Sequence, residues 1–294
     1  MKLPDAWLSS VFFLGIEGDA GPPFRGTGFY FQVVNEFDPT LERLYFVTAR
    51  HNIEGAHEAP GALFVRVNTE DQGSIHLPVS KDGWTFHHDS SVDVAVVSVN
   101  FAKNAERSLE STRLSEESCV TDSRIREFEI GAGSDISVIG LFTYREGFER
   151  NLPIVRSGTL AAMSGELIED GTPHGPYRAY LAEIMSIGGL SGSPVFVHPL
   201  GGPHHKHPTE RLGDGRMRTW TEWNQPSFVL GMVRSHWDER PPGSDRELPR
   251  PEWLNRGIAA VTPIGDVLEV LGYEEFRDER MRDAEAAARR SLES

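Results

Sequence analysis

Short β-type runs, each bounded by Gly, Pro, Asn or Asp, follow one another through the first 265 of the chain's 294 residues. They cover Ser10–Ile16, Gly28–Val34, Arg43–Thr48, Leu63–Val67, Val92–Val99, Ile136–Leu141, Ser157–Ala162, Tyr177–Ile184, Pro194–Val197, Phe228–Ser235 and Gly257–Val261. A parallel sheet would need mostly helical crossovers of roughly a dozen residues between strands, so the pattern suits an all-β barrel or sandwich better. Helical patterning is convincing only after Pro263, where Val267, Leu268, Val270 and Leu271 lead into Tyr273–Ser294. There Asp278/Arg282 and Glu285/Arg289 stand four residues apart, which reads as a polar, fraying terminal helix rather than a partner-binding arm.

Two composition shifts divide the β-rich part. Asn100 to Glu129 is polar and charged, the mark of a linker between two β-halves. His198 to Ser227, rich in Gly, Pro, His and Arg, is too long for an ordinary loop and reads as a surface insertion. The expected organisation is a first unit over residues 1–125, a second over 126–265 with an insertion at 198–227, and a helical tail over 266–294.

With 29 Lys and Arg against 44 Asp and Glu, the formal charge is −15, so the surface should repel phosphate backbones and anionic lipid, and nucleic acid is not an expected partner. Cys119 is the single cysteine, which excludes an intrachain disulfide and a cysteine-cluster metal site and fits a reducing, cytoplasmic setting. The apolar stretch Trp7–Leu14 is short, has no small-residue cleavage site before Glu17, and reads as a first strand rather than a leader. No window approaches the roughly 20 apolar residues of a membrane span, so no membrane association is expected.

Attack on an amide carbonyl by a hydroxyl needs a base to take the proton and an anion to hold that base in the right tautomer. It also needs N–H donors where the oxyanion forms. Three segments can supply these parts. Phe46-Val47-Thr48-Ala49-Arg50-His51-Asn52-Ile53, preceded by Gly26-Thr27-Gly28-Phe29, runs from a strand into a turn and offers His51 as the base. Val92-Asp93-Val94-Ala95-Val96-Val97 sets an acid at the head of an apolar strand, where a buried carboxylate is costly unless paired with a group such as an imidazole N–H. Asp89, four residues earlier, lacks that setting. Gly188-Gly189-Leu190-Ser191-Gly192-Ser193-Pro194-Val195 surrounds Ser191 with glycines that permit a tight turn, so that the N–H groups of Gly189 and Ser191 can converge on one point.

These segments resemble the Thr-Ala-x-His, Asp-x-Ala and Gly-x-Ser-Gly-Ser-Pro motifs of trypsin-like serine peptidases. The order His, Asp, Ser is that of chymotrypsin, whereas subtilisins and α/β-hydrolases follow other orders, and Ser193 breaks the Gly-x-Ser-x-Gly pattern of a lipase-type elbow. The resemblance extends along most of residues 8–270, including Ser134–Gly140, Arg156–Leu160, Val229–Val233 and Gly257–Ile264. It is nearest to the bacterial branch related to the glutamyl endopeptidases and high-temperature-requirement proteases, without a PDZ-like domain.

The resemblance implies an all-β, chymotrypsin-like double β-barrel with a C-terminal helix and a triad of His51, Asp93 and Ser191 in the cleft between barrels. It further implies an oxyanion hole made by the backbone N–H groups of Gly189 and Ser191, no obligatory cofactor, and peptide or protein substrates. A primary pocket would be floored by Met185 and walled by Ser186, Val233, His236 and Gly257. With no acid at that floor, cleavage after Leu, Met, Val or Ala is expected and cleavage after Lys or Arg disfavoured, while Arg234 and His236 are the groups that would favour Glu.

Leu190 departs from the vertebrate-type enzymes, whose Asp at this position binds a new N-terminus on activation. The site is then preformed or organised by something else. Two alternatives stay open: a binding module that has lost turnover, and an effector kept latent until a partner protein reorders the oxyanion loop. His198, His204, His205 and His207 match no helical ligand pair and read as a polar loop rather than a metal site, and Trp220, Trp223 and Trp237 read as loop packing.

Overall fold

The computed structural model describes residues 5–18, 24–99, 109–142, 145–163, 165–169, 175–185, 188–199, 209–211, 217–219, 227–239 and 254–293. A 3-10 turn at Asp5–Ser10 leads into β1 (Val11–Ile16), β2 (Phe24–Val34) and β3 (Glu42–Thr48), and α1 (Arg50–Glu58) follows directly. Next come β4 (Leu63–Asn68), β5 (Ser74–Pro78), β6 (Thr85–Phe86), β7 (Ala95–Val99), β8 (Leu114–Ser115) and α2 (Asp122–Glu127). These strands form one eight-stranded sheet in the order β5-β4-β1-β2-β3-β7-β6, with β8 paired in parallel to β2.

The second sheet is a closed barrel. It joins β9 (Asp135–Gly140), β10 (Ile154–Ala162), β11 (Tyr180–Glu183), β12 (Pro194–His198), β15 (Phe228–Glu239) and β16 (Leu254–Pro263) in the order β10-β11-β16-β15-β12-β9. Between β12 and β15 the insertion contributes a separate hairpin, β13 (Thr209–Arg211) and β14 (Met217–Thr219). The chain ends in α3 (Ile264–Leu271) and α4 (Glu274–Glu293). The mostly-β expectation with a C-terminal helix holds, and the architecture is consistent with a chymotrypsin-like double barrel. Among the described residues no helix is long and apolar enough to cross a membrane.

The apolar runs explain how the two sheets lie together. In β1 every residue is buried. Phe12, Leu14 and Ile16 point into a core shared with Tyr30, Phe46, Val65 and the α1 residues Ile53 and Ala56. Val11 and Phe13 point the other way, into a core continuous with Val195, Phe196, Val229 and Val261 of the barrel. A strand covered on both faces needs an unbroken apolar run instead of alternation, which is what Val11–Ile16 supplies.

The helical pieces and polar stretches depart from the sequence reading. α1 escapes that reading because it buries only Ile53 and Ala56 and carries a central Gly55, so its amphipathic signal is weak. The short strands β5, β6 and β8 are half-polar and escape it likewise. The described part of the expected linker is packed, since the Val120 N–H donates to the Val229 carbonyl oxygen (3.0 Å) and Cys119 is fully buried. Burial pushes the Cys119 thiol up to about 12, far from thiolate chemistry.

The tail is docked and does not fray along its first half. Arg280, 3% exposed, grips both carboxylate oxygens of Glu36 (2.6 and 3.0 Å) and also donates to the Tyr45 hydroxyl (2.9 Å) and the Leu271 carbonyl (3.1 Å). Phe276 stands edge-on to Tyr45 with centroids 5.2 Å apart, and the Asn35 side chain donates to the Arg280 carbonyl (2.6 Å). Replacing Arg280 with Met removes the fork but keeps the stem, leaving the Tyr45 hydroxyl and Leu271 carbonyl unpaired. We expect a loss of about 2 kcal/mol in urea unfolding, discounted because Glu36 is partly solvated. An unchanged midpoint would mean that the helix is held by apolar packing alone.

Candidate active site

His51 sits in the first turn of α1 rather than in a loop, because β3 ends at Thr48 and Ala49 is the helix N-cap. Ala49 has no side chain able to cap, so the early helical N–H groups need another acceptor. Asp93 provides it from the loop before β7: its Oδ1 accepts the His51 backbone N–H at 3.0 Å, and its Oδ2 lies 2.8 Å from His51 Nδ1. A carboxylate that only accepts fixes the imidazole proton on Nδ1 and leaves Nε2 free to take a proton.

The electrostatics of this pair follow from its burial. Asp93 is 6% exposed, and burial alone would hold its proton on. The charge of His51, the hydrogen bonds from its ring and backbone, and the charge of Arg234 outweigh this and keep the Asp93 carboxyl below its ordinary range. For His51 burial opposes protonation, but the Asp93 charge and hydrogen bond prevail, and its pKa is raised. The ring remains open to solvent on one side, with its side chain 45% exposed. Asp89 shapes the turn that presents Asp93, since its side chain accepts the Ser91 N–H (2.9 Å) and its carbonyl the Val92 N–H (3.1 Å).

Ser191 lies on the turn entering β12 and is partly exposed, while its neighbours Leu190, Gly192 and Ser193 are buried. Leu190, 1% exposed within the larger core, anchors the turn by apolar burial worth about 1.5–3 kcal/mol. Gly192 has φ +85°, and a Cβ there would stand 2.0 Å from the Thr27 carbonyl oxygen, so no other residue fits.

Thr27 of β2 ties this turn to the first sheet. Its N–H donates to the Ser191 carbonyl (3.0 Å), and its hydroxyl donates to the Gly189 carbonyl (2.7 Å) while accepting the Leu141 N–H (2.9 Å). Asn52, the residue after His51, also donates to the Ser191 carbonyl (3.0 Å), and Gly26 leaves the space its amide occupies. His51 and Asp93 are thus in contact, and the Ser191 turn is tied to Asn52, the neighbour of His51. The Ser191 hydroxyl donates to the Arg234 carbonyl at 3.3 Å. Sequence reasoning misses the seam made by Thr27 and Asn52, although the Gly26-Thr27-Gly28 alternation is its visible trace.

The residues expected to form the specificity pocket have these settings. Met185 follows β11 by two residues and is 54% exposed. Ser186 lies outside the described residues, as do His204, His205, His207, Trp220, Trp223 and the side chain of Trp237. Val233 is buried in the core, His236 is half-buried, and the Gly257 carbonyl accepts the Ile184 N–H (2.7 Å). Arg234 is not presented to a substrate; it is 6% exposed and bonded to the Ser91 carbonyl (2.6 Å). His198, expected in a polar loop, is a buried strand residue with Nδ1 2.7 Å from the Ser227 hydroxyl and Nε2 2.9 Å from that of Ser137. A cavity of about 330 Å³ beside His51 is lined by Arg25, Asn52, Gly55, Ala56, Glu58, Ala59 and Pro60.

Thr27→Val keeps the shape and strands the buried Leu141 N–H and Gly189 carbonyl. We expect a loss of roughly 1–3 kcal/mol in urea unfolding, with faster hydrogen exchange across residues 188–192. Thr27→Ser should restore both. Slow exchange retained by the Val variant would show that Leu190 burial alone orders the turn.

No protein-family model and no curated protein matches this sequence. Among solved structures, the chain is similar to the crystal structure of Deg5, with 13% identity, a TM-score of 0.46 and coverage of 89% of this chain and 86% of that one. An atomic-resolution structure of HBP matches at 12% identity and the structure of human heparin binding protein at 10%, each with a TM-score of 0.46 and 92% of both chains covered. Similarity at this level of identity concerns the fold alone.

Proposed function

We propose that this chain is a serine hydrolase acting on peptide bonds, with Ser191 as nucleophile, His51 as general base and Asp93 as the group that orients and charges the base. The observation that carries the reading is the two-point contact of Asp93 with the His51 backbone and ring, made within one residue of the hydrogen bond from Asn52 to Ser191. In the acylation step Ser191 Oγ bonds to the scissile carbonyl carbon as its proton passes to His51 Nε2. Collapse of the tetrahedral intermediate returns that proton to the departing amine and leaves an acyl-enzyme for water to hydrolyse. The N–H groups of Gly189 and Ser191 are the donors proposed for the oxyanion, and no cofactor is needed.

On this reading residues 1–125 form the base-bearing unit and 126–265 the nucleophile-bearing one, in a cytoplasmic enzyme. The leaving half of the substrate lies toward the cavity lined by Arg25 and Pro60, and the acyl-side side chain lies against His236 and Gly257 with Met185 as an open apolar surface. A second reading, a form held latent until a protein partner binds, is favoured by the hydroxyl of Ser191 resting on the Arg234 carbonyl. Catalysis then requires that hydroxyl to turn toward His51.

A fluorophosphonate probe separates these readings. Prompt labelling that Ser191→Ala abolishes and His51→Ala slows by several orders of magnitude supports the active form. Slow labelling that a lysate fraction accelerates supports the latent one, and labelling retained by Ser191→Ala would sink both.

The pH dependence has a definite sign. Only the neutral imidazole accepts the serine proton, and the pKa of His51 is raised, so the rate should climb with pH through a midpoint above about 6.5. A midpoint clearly below that value would show that burial, not Asp93, dominates the ring.

A further inference from the structure

Arg234 occupies an irregularity in the barrel. Between β15 and β16, Val233 pairs with Val261 and Ser235 with Ala260, so Arg234 is an extra residue with no partner across the ladder, a β-bulge. Bulges re-aim a side chain, and here the guanidinium is turned inward. Its Nη1 donates to the Ser91 carbonyl at 2.6 Å, and its centre lies 3.6 Å from the ring centroid of Tyr177, itself 1% exposed. Ser91 is two residues before Asp93, and the Arg234 backbone carbonyl receives the Ser191 hydroxyl. One residue thus touches the acid's loop with its side chain and the nucleophile with its main chain.

We infer that Arg234 is a positioning residue of this site, fixing the Asp93 loop through the Ser91 carbonyl and supplying the buried positive charge that faces the His51–Asp93 pair. The inference rests on the serine-hydrolase reading. Among the described residues the guanidinium is held by a carbonyl and an aromatic face, so its charge is left to act on the buried Asp93 carboxylate. The charge favours the Asp93 carboxylate and opposes the imidazolium of His51. The other charged groups bearing on His51 are Asp93 itself and Glu54 of α1, with Arg25 lining the adjacent cavity. Asp93 raises the pKa of the imidazole, and Arg234 opposes that rise.

The test compares the native protein with Arg234→Met and Arg234→Lys in two readouts. One is the pH dependence of labelling by an alkyl fluorophosphonate. The other is the ring titration of His51 by NMR, its signal assigned by loss in His51→Gln. Arg234→Met should move both midpoints up by about one pH unit. Arg234→Lys, which keeps the charge and loses the fork, should leave the midpoints in place and lower the maximal labelling rate several-fold. An unmoved His51 titration in a folded Arg234→Met protein overturns the inference. If the Met variant does not fold, a Lys variant labelled at the native maximal rate overturns it instead. Absence of labelling in the native protein counts against the hydrolase reading alone, because the NMR titration decides the role of Arg234 without it.

Discussion

The arrangement of the site depends on Thr27, whose backbone and side chain hold the Ser191 turn against the first sheet. Ser191 and His51 are carried by segments of different sheets, so their relative position is only as good as the contact between those sheets. Apolar packing brings the sheets together but is indifferent to small displacements. Directional bonds from Thr27 and Asn52 to the carbonyls of Gly189 and Ser191 remove that freedom, and breaking the buried bond from the Thr27 hydroxyl leaves polar groups without water.

Asp93 joins the local and the global requirements. Its carboxylate caps a helix whose own N-cap residue is an alanine, and the same two oxygens orient the imidazole. Helix, carboxylate and imidazole therefore form one unit, in which moving Asp93 would also uncap α1. Arg234 extends these contacts into the barrel, its Nη1 donating to the carbonyl of Ser91 in the loop that carries Asp93.

Much of this is legible from residue order. The strands read from apolar runs match strands or strand parts in the structure, because a short apolar run bounded by turn residues, such as Val11–Ile16, is too short for a buried helix. The elements that escape are those whose stability is tertiary. α1 has two buried residues, and β5 and β6 are short and partly solvated. α4 reads as a free polar helix because its anchors, Phe276 and Arg280, are one apolar residue and one charge whose burial is invisible without Glu36 and Tyr45. Exposure at Met185 and burial at Arg234 are hidden from the sequence for a related reason, since they depend on where strand ends and a bulge turn the side chains.

By itself the sequence determined the mostly-β class, the terminal helix and the residue types placed at positions 51, 93 and 191, since periodicity, turn chemistry and local motifs are written in neighbouring residues. The tertiary structure alone decided that Asp93 caps α1, that Thr27 and Asn52 hold the Ser191 turn, that Leu190 anchors it by burial, and that Arg234 is buried against the Ser91 carbonyl. Each of those contacts joins segments far apart in the chain. Their geometry is set by strand register and by what remains buried, which no local pattern encodes.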